Sequence, residues 1–343
     1  MTVDDADHRA LQDGPTAMGS RRDLLAFGAA VLPAWPFPLL AQDAGRARRI
    51  AYLGTSSASQ HLEDAFVGSL RAHGWAVGKN LVLDVRYTES DPARLPALTN
   101  ELLALNPNVF VSVTDLYARD AAVAASVVPV VFVLGFDPVS VGLVKSLGAP
   151  GGRCTGFSVL NWELNPKRLS LLKEAVPRLG RVGVLYREAD PNAKIALELT
   201  EKAGRERQIE VLRAPITGPD DFASAFKRME QAGVNGVLNV PDPLFFRWRR
   251  RLAELALQHR MAAMFGATEF ADAGMLLAYG TDFRDVFVRA AALVDRIMKG
   301  ADPAKIPVEQ ANTYELVVNR RTARLLGIEL PHSLLLQATR MIE

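Results

Sequence analysis

The chain has 343 residues, 49% of them apolar and 23% charged, with a formal net charge of +2. Such a length predicts two domains. The balanced charge carries no basic stripe of the kind nucleic-acid binding needs, and RWRRR (247–251) reads as a solvated helix face. The lone cysteine, Cys154, excludes a disulfide within the chain and a thiolate metal cluster, and reads as a small buried residue.

The first fifty residues stand apart. Arg21 and Arg22 precede LLAFGAAVLPAWPFPLL, an uncharged apolar run, and Ala41 closes a small-residue segment. Charge, apolar run and cleavage site in that order predict an export signal over residues 1–41. Pro33, Pro36 and Pro38 argue against a spanning helix. The paired arginines fit a twin-arginine signal as well as an ordinary secretory one, and both routes stay open. Met18 is a second candidate start.

Beyond the signal, strands and helices alternate. RIAYLG (49–54) reads as a buried parallel strand, followed by a helix with Leu62, Ala65, Phe66 and Leu70 at helical spacing. LVLDVRY (81–87) is the next strand, and Pro92 opens a helix whose apolar face carries Leu95, Leu98, Leu102 and Leu103. VFVSV (109–113), a helix over 115–126 and PVVFVLG (129–135) follow. The pattern restarts with VGVLYR (182–187), helix 192–207, IEVLRAP (209–215), helix 219–231, GVLNVPD (236–242), helix 244–259 and AAMFGA (262–267). LLAYG (276–280), a helix over 283–299, the turn-rich stretch 299–310 and a helix near 319–327 complete the chain. Two βα series in tandem predict an α/β protein of two Rossmann-like, doubly wound parallel-sheet lobes.

In such sheets ligands bind beyond the carboxyl ends of the strands. The loops there carry Thr55, Ser56, Ser57, Gln60, Thr114, Asp115, Phe136, Asp137, Tyr186, Asn192, Asp242 and Glu269. Helix N-capping accounts for any one of these polar loops. Their recurrence in both halves points to a shared cleft. Ser158, near the joint of the halves, and Tyr279, in the last strand of the second series, join the candidates. Trp162 and Trp248 read as packing residues on helices.

No catalytic constellation emerges. His8, His61, His73, His259 and His332 lack zinc-site spacing. There is no G-x-S-x-G elbow, no Walker A loop, and no G-x-G-x-x-G after the first strand. No metal or cofactor is expected, and a small-molecule α/β enzyme is a disfavoured reading.

Three blocks carry a family resemblance: DPVSVGLVKSLGAPGGRCTGFS (137–158), KRLSLLKEAVPRLGRVGVLY (167–186) and PVEQANTYELVVNRRTARLLGIELP (307–331). Together they resemble the ABC-transporter substrate-binding proteins of the tryptophan/tyrosine type, over about residues 48–343. AGMLLAYG (273–280) departs from the AGGLMSYG more usual there, and the terminal ATRMIE from a more acidic AD-x-x-IE. The resemblance implies a type I periplasmic-binding-protein fold whose lobes are joined by a three-strand hinge. Lobe one is then 48–157 plus 283–305, and lobe two 158–282 plus 306–343. It also implies a periplasmic, monomeric protein without catalytic activity that traps a small metabolite, such as an aromatic amino acid, and delivers it to an ABC permease. A ligand-sensing subunit for a membrane receptor is the alternative. For an amino acid, Thr55, Ser56, Ser57 and Thr114 suit the carboxylate, and Asp137, Asp242 or Glu269 the ammonium. Phe136, Tyr186 and Tyr279 suit stacking against a flat ligand.

Overall fold

Strands form where apolar residues run on without a polar break, because a parallel sheet covered by helices buries both of its faces. In β1 (Arg48–Gly54) every residue from Ile50 onward is buried. The computed structural model describes residues 47–343 apart from 114–123, 125, 127 and 191. The expected export signal lies outside the described residues, as do Thr114, Asp115 and nearly all of the helix expected over 115–126.

The first sheet comprises β1, β2 (Leu81–Tyr87), β3 (Val109–Ser112), β4 (Val130–Leu134), β5 (Cys154–Ser158) and β11 (Glu309–Gln310), all parallel, in the order β11-β5-β4-β3-β1-β2. The second comprises β6 (Arg181–Arg187), β7 (Glu210–Ile216), β8 (Gly236–Asn239), β9 (Ala262–Phe265), β10 (Leu277–Thr281), β12 (Tyr314–Asn319) and β13 (Arg340–Ile342). Its order is β13-β12-β10-β9-β8-β6-β7, parallel except where β12 runs against β10. The first five strands of each series thus share the spatial order second, first, third, fourth, fifth. In both sheets the winding reverses between the first and third strands, which opens a crevice at their carboxyl ends.

Helices cover both sheets. On the first lie α1 (Gln60–Ala72) and α2 (Leu95–Ala104). On the second lie α3 (Asn165–Ala175), α4 (Ala193–Glu206), α5 (Asp221–Gln231), α6 (Pro243–Arg247), α7 (Arg249–Gln258) and α8 (Thr268–Asp272). The next helix, α9 (Phe283–Met298), follows β10 in the chain yet returns to the first sheet. Its Val286, Phe287, Ala290, Ala291 and Val294 recur at helical spacing and pack with Phe66, Leu70 and Val131. Two short helices, α10 (Arg320–Leu326) and α11 (His332–Gln337), finish the second lobe.

The chain passes between the sheets three times: after β5, after β10 and after β11. The resemblance assigned everything from residue 306 to the second lobe. Glu309–Gln310 instead pair with Phe157–Ser158, so the last passage begins after Gln310. The helix expected over 244–259 is two helices. Trp248, at φ −99° and ψ 18°, closes α6 by donating its N–H to Leu244 O, and it is exposed rather than packed. β5, β11, β12 and β13 have no counterpart among the strands read from the sequence.

Candidate functional site

A cleft runs between the two crevices and draws its walls from both lobes. From the first come Gly54, Thr55 and Ser56 after β1, Val113 after β3, and the rings of Tyr52 and Tyr87. From the second come Asp190 and Asn192 after β6, Asn239, Pro241 and Asp242 after β8, and Gly266, Glu269 and Phe270 after β9. The passage after β5 adds Asn161 and Trp162, and the first turns of α9 add Phe283 and Phe287. The empty space is about 1260 Å³ with its open mouth included. That is ample for a metabolite of amino-acid size.

Local geometry places each group. Tyr87 lies directly over Gly54, where a Cβ would come 2.8 Å from the ring, so only glycine permits this stacking. The Tyr87 hydroxyl donates to the Glu63 carboxylate; burial first, and that bond second, raise its pKa. Trp162 Nε1 donates to Gly135 O at 3.0 Å, which ties the first passage to the end of β4.

The second-lobe wall is acidic. Asp242 caps α6 by accepting the Leu244 N–H at 2.7 Å, with Arg187 Nη1 3.7 Å away. Burial raises its carboxyl above the usual range, against the pull of Arg187. Asp190 accepts the Asn192 N–H at 2.8 Å. Its pKa is raised to about 6, mainly by burial, with the charge of Asp242 adding to it. Asn239 is 1% exposed; its Nδ2 donates to Val240 O, while its Oδ1 has no hydrogen-bond partner. Among the described residues no lysine, arginine or histidine lines the cleft.

The lobes also touch across the cleft. His61 Nε2 and Glu269 Oε1 are 2.7 Å apart, and Arg247 Nη1 donates to Glu89 O at 2.8 Å. Glu89 and Ser90 hold positive φ angles of 55° and 61°, which turns the Glu89 carboxylate toward the start of α1. There it accepts from the Ser57 N–H at 3.2 Å and the Ser56 hydroxyl at 3.5 Å.

Of the residues singled out in the sequence, Thr55, Ser56, Asn192, Asp242 and Glu269 line the cleft. The others that the structure describes lie outside its lining. Ser57 and Gln60 are exposed, Gln60 beside Glu63 and Tyr87. Phe136 is in the first-lobe core, and Ser158 donates to its carbonyl at 3.3 Å. Asp137 accepts the Val139 N–H and closes the DPV turn. Tyr186 packs on the second-lobe core, and Tyr279 lies 6.0 Å from Tyr314. Trp162, read as a packing residue, is part of the wall. Tyr52, Tyr87, Asn161, Asp190 and Asn239 were not singled out. Asp190 sits in the 186–192 loop, and its place after a strand was the available signal.

Residues 56–342 match the model of the family described as ABC transporter substrate binding protein. The chain belongs to that family. This substrate-binding protein is similar to the "Tyrosine-binding protein" of Clostridioides difficile strain R20291, with 23% identity over 265 residues, 77% of this chain and 76% of that one. Its fold is similar to a conserved domain protein from Vibrio cholerae, at a TM-score of 0.77 and 25% identity, covering 86% of this chain and all of the other. It is also similar to an ABC domain in complex with L-Trp from Streptococcus pneumonia, at a TM-score of 0.75, 22% identity and the same coverage. The two parallel-sheet α/β lobes with three passages between them are those of a type I periplasmic binding protein.

Proposed function

We propose that the cleft binds an aromatic amino acid of the tyrosine or tryptophan class, and that the exported protein hands it to an ABC permease without chemical change. One observation carries the reading. The cleft has aromatic rings on its walls, and its second-lobe wall offers the acceptors Asp190, Asp242, Glu269 and the unpartnered Asn239 Oδ1, with no cationic side chain in the described lining. An ammonium satisfies all of these, and each such charge-assisted bond contributes about 1.5–3 kcal/mol. Rings stacked on Tyr87 or Trp162 add apolar burial. The names of the relatives, one tyrosine-binding and one holding L-Trp, support the same ligand class.

Titration of the mature protein with L-tyrosine and L-tryptophan in a calorimeter tests this. Saturable one-to-one binding with a Kd of about 1 μM or tighter is expected, close to 8 kcal/mol. Recovery of the ligand unaltered after long incubation is also expected. Binding of aliphatic amino acids in preference to both would sink the reading.

A further inference from the structure

Arg168, on α3, is completely buried beneath the floor of the cleft, and none of its hydrogen-bond partners is a carboxylate. Nε donates to Tyr279 O at 2.7 Å. Nη1 donates to Asn161 O at 2.8 Å and to Asn165 Oδ1 at 2.7 Å. Nη2 donates to the side-chain oxygen of Asn161. Every acceptor is neutral. These four bonds engage four of the five guanidinium N–H groups but leave the charge itself without a counter-ion among the described residues, and an uncompensated buried charge is costly. Burial lowers the Arg168 pKa to about 9, so the group still carries its proton at neutral pH.

The guanidinium lies one residue layer from the ligand space. Asn161 and Gly266, which it touches, both line the cleft. A Cβ on Gly266 would come 2.7 Å from Nη2, so glycine is what lets the charge rise this close to the floor. The described lining itself holds three acids and no base. An amino acid brings a carboxylate as well as an ammonium. Two of the first-lobe groups expected to take that carboxylate are already engaged, since the Ser57 N–H and Ser56 hydroxyl donate to Glu89.

We propose that Arg168 is the buried counter-charge for an anionic group of the ligand, seated on the floor at Asn161 and Gly266, and that it sets the preference for acids over the corresponding amides and amines. This rests on the reading that the cleft holds an amino acid. Arg168 acts through the floor rather than by contact, which makes it a positioning residue for specificity.

The test compares L-tyrosine, L-tyrosinamide and tyramine by calorimetry on the wild type, Arg168→Met and Asn165→Asp. Asn165 is buried, lies outside the described lining and already accepts from Nη1, so Asn165→Asp supplies Arg168 with an internal counter-ion. The wild type is expected to prefer tyrosine over tyrosinamide by roughly tenfold or more. Both variants should shrink that preference to about threefold or less while holding tyrosinamide within about threefold of wild type. Asn165→Asp keeps the test open if Arg168→Met does not fold. A preference unchanged in folded Asn165→Asp, or absent from the wild type, overturns the proposal and leaves the aromatic reading standing. Failure of all three compounds and of L-tryptophan to bind the wild type sinks the aromatic reading instead. The proposal is then judged on the compound released from natively purified protein and identified by mass spectrometry: an anionic group supports it, and its absence overturns it.

Discussion

His61 on α1 and Glu269 on α8 meet at 2.7 Å across the mouth of the cleft, joining lobes through residues 208 positions apart. The Glu269 side chain is 18% exposed and the His61 ring 49%, so solvent weakens the contact from the first-lobe side. Burial alone would raise the Glu269 carboxyl, but the bonds from His61 and Thr268 outweigh it and hold the carboxyl below its ordinary value. The contribution of Glu269 to stability is therefore present above its unfolded pKa of about 4.3 and lost as pH falls through the lower folded value.

Glu269→Gln should loosen closure more than capture. A ligand dissociation rate about three- to tenfold faster is expected, with association nearly unchanged, because such pairs act mainly on the lifetime of a closed state. Stopped-flow fluorescence of the tryptophan residues measures both rates. An unaltered dissociation rate at low salt would remove the latch.

Asp190 makes the protein and its ligand respond oppositely to pH. Its carboxyl, raised from 3.8 to about 6 mainly by burial, holds its proton more tightly in the folded protein than in the unfolded chain. Stability of the free protein should thus decline from about pH 4 to about pH 6 and level off above. A ligand ammonium favours the ionised form, so affinity should rise over that window and then plateau. Calorimetry at pH 5.5 in two buffers of different ionisation enthalpy should reveal a released proton. Asp190→Asn should stabilise the free protein at pH 7 by about 1–3 kcal/mol and weaken binding about ten- to a hundredfold.

Gly54→Ala is expected to damage the cleft more than the fold. The new methyl meets the Tyr87 ring at 2.8 Å, and the ring can yield only by leaving its place on the wall. A stability loss of about 1–3 kcal/mol should accompany a roughly tenfold or greater loss of affinity. Equal affinity in a thermally destabilised variant would show that Tyr87 does not shape the site.

Cys154 should be inert in the native protein. It is 3% exposed within β5, and burial pushes its thiol up to about 12. Alkylation at pH 8 should therefore require unfolding, since the thiolate is the reactive form. Rapid labelling of the native chain, followed by mass spectrometry, is the contrary result.

Much of this architecture was legible in one dimension. A strand covered on both faces must be apolar throughout, so VVFVL in β4 and VGVLY in β6 declared themselves. Loops at strand ends were legible too, and through them Thr55, Ser56, Asn192, Asp242 and Glu269. Direction within a strand was not. Tyr186 and Tyr52 both occupy strands, yet Tyr186 turns to the core behind α3, while Tyr52 packs on Phe66 at 5.8 Å and reaches the cleft wall. β12 was hidden because it runs antiparallel to β10, outside the βα alternation.

The sequence by itself determined two βα series, the strand ends where a ligand space must open, and membership of a family, because each is written in local pattern or in short blocks of residues. Only the tertiary structure decided the electrostatics. Arg168 was not singled out in the sequence. Its burial beneath Gly266, without an acid, follows from packing α3 against β9 and β10, elements about a hundred residues away. The charge felt at the cleft floor therefore depends on what surrounds Arg168 in space rather than on its neighbours in the chain.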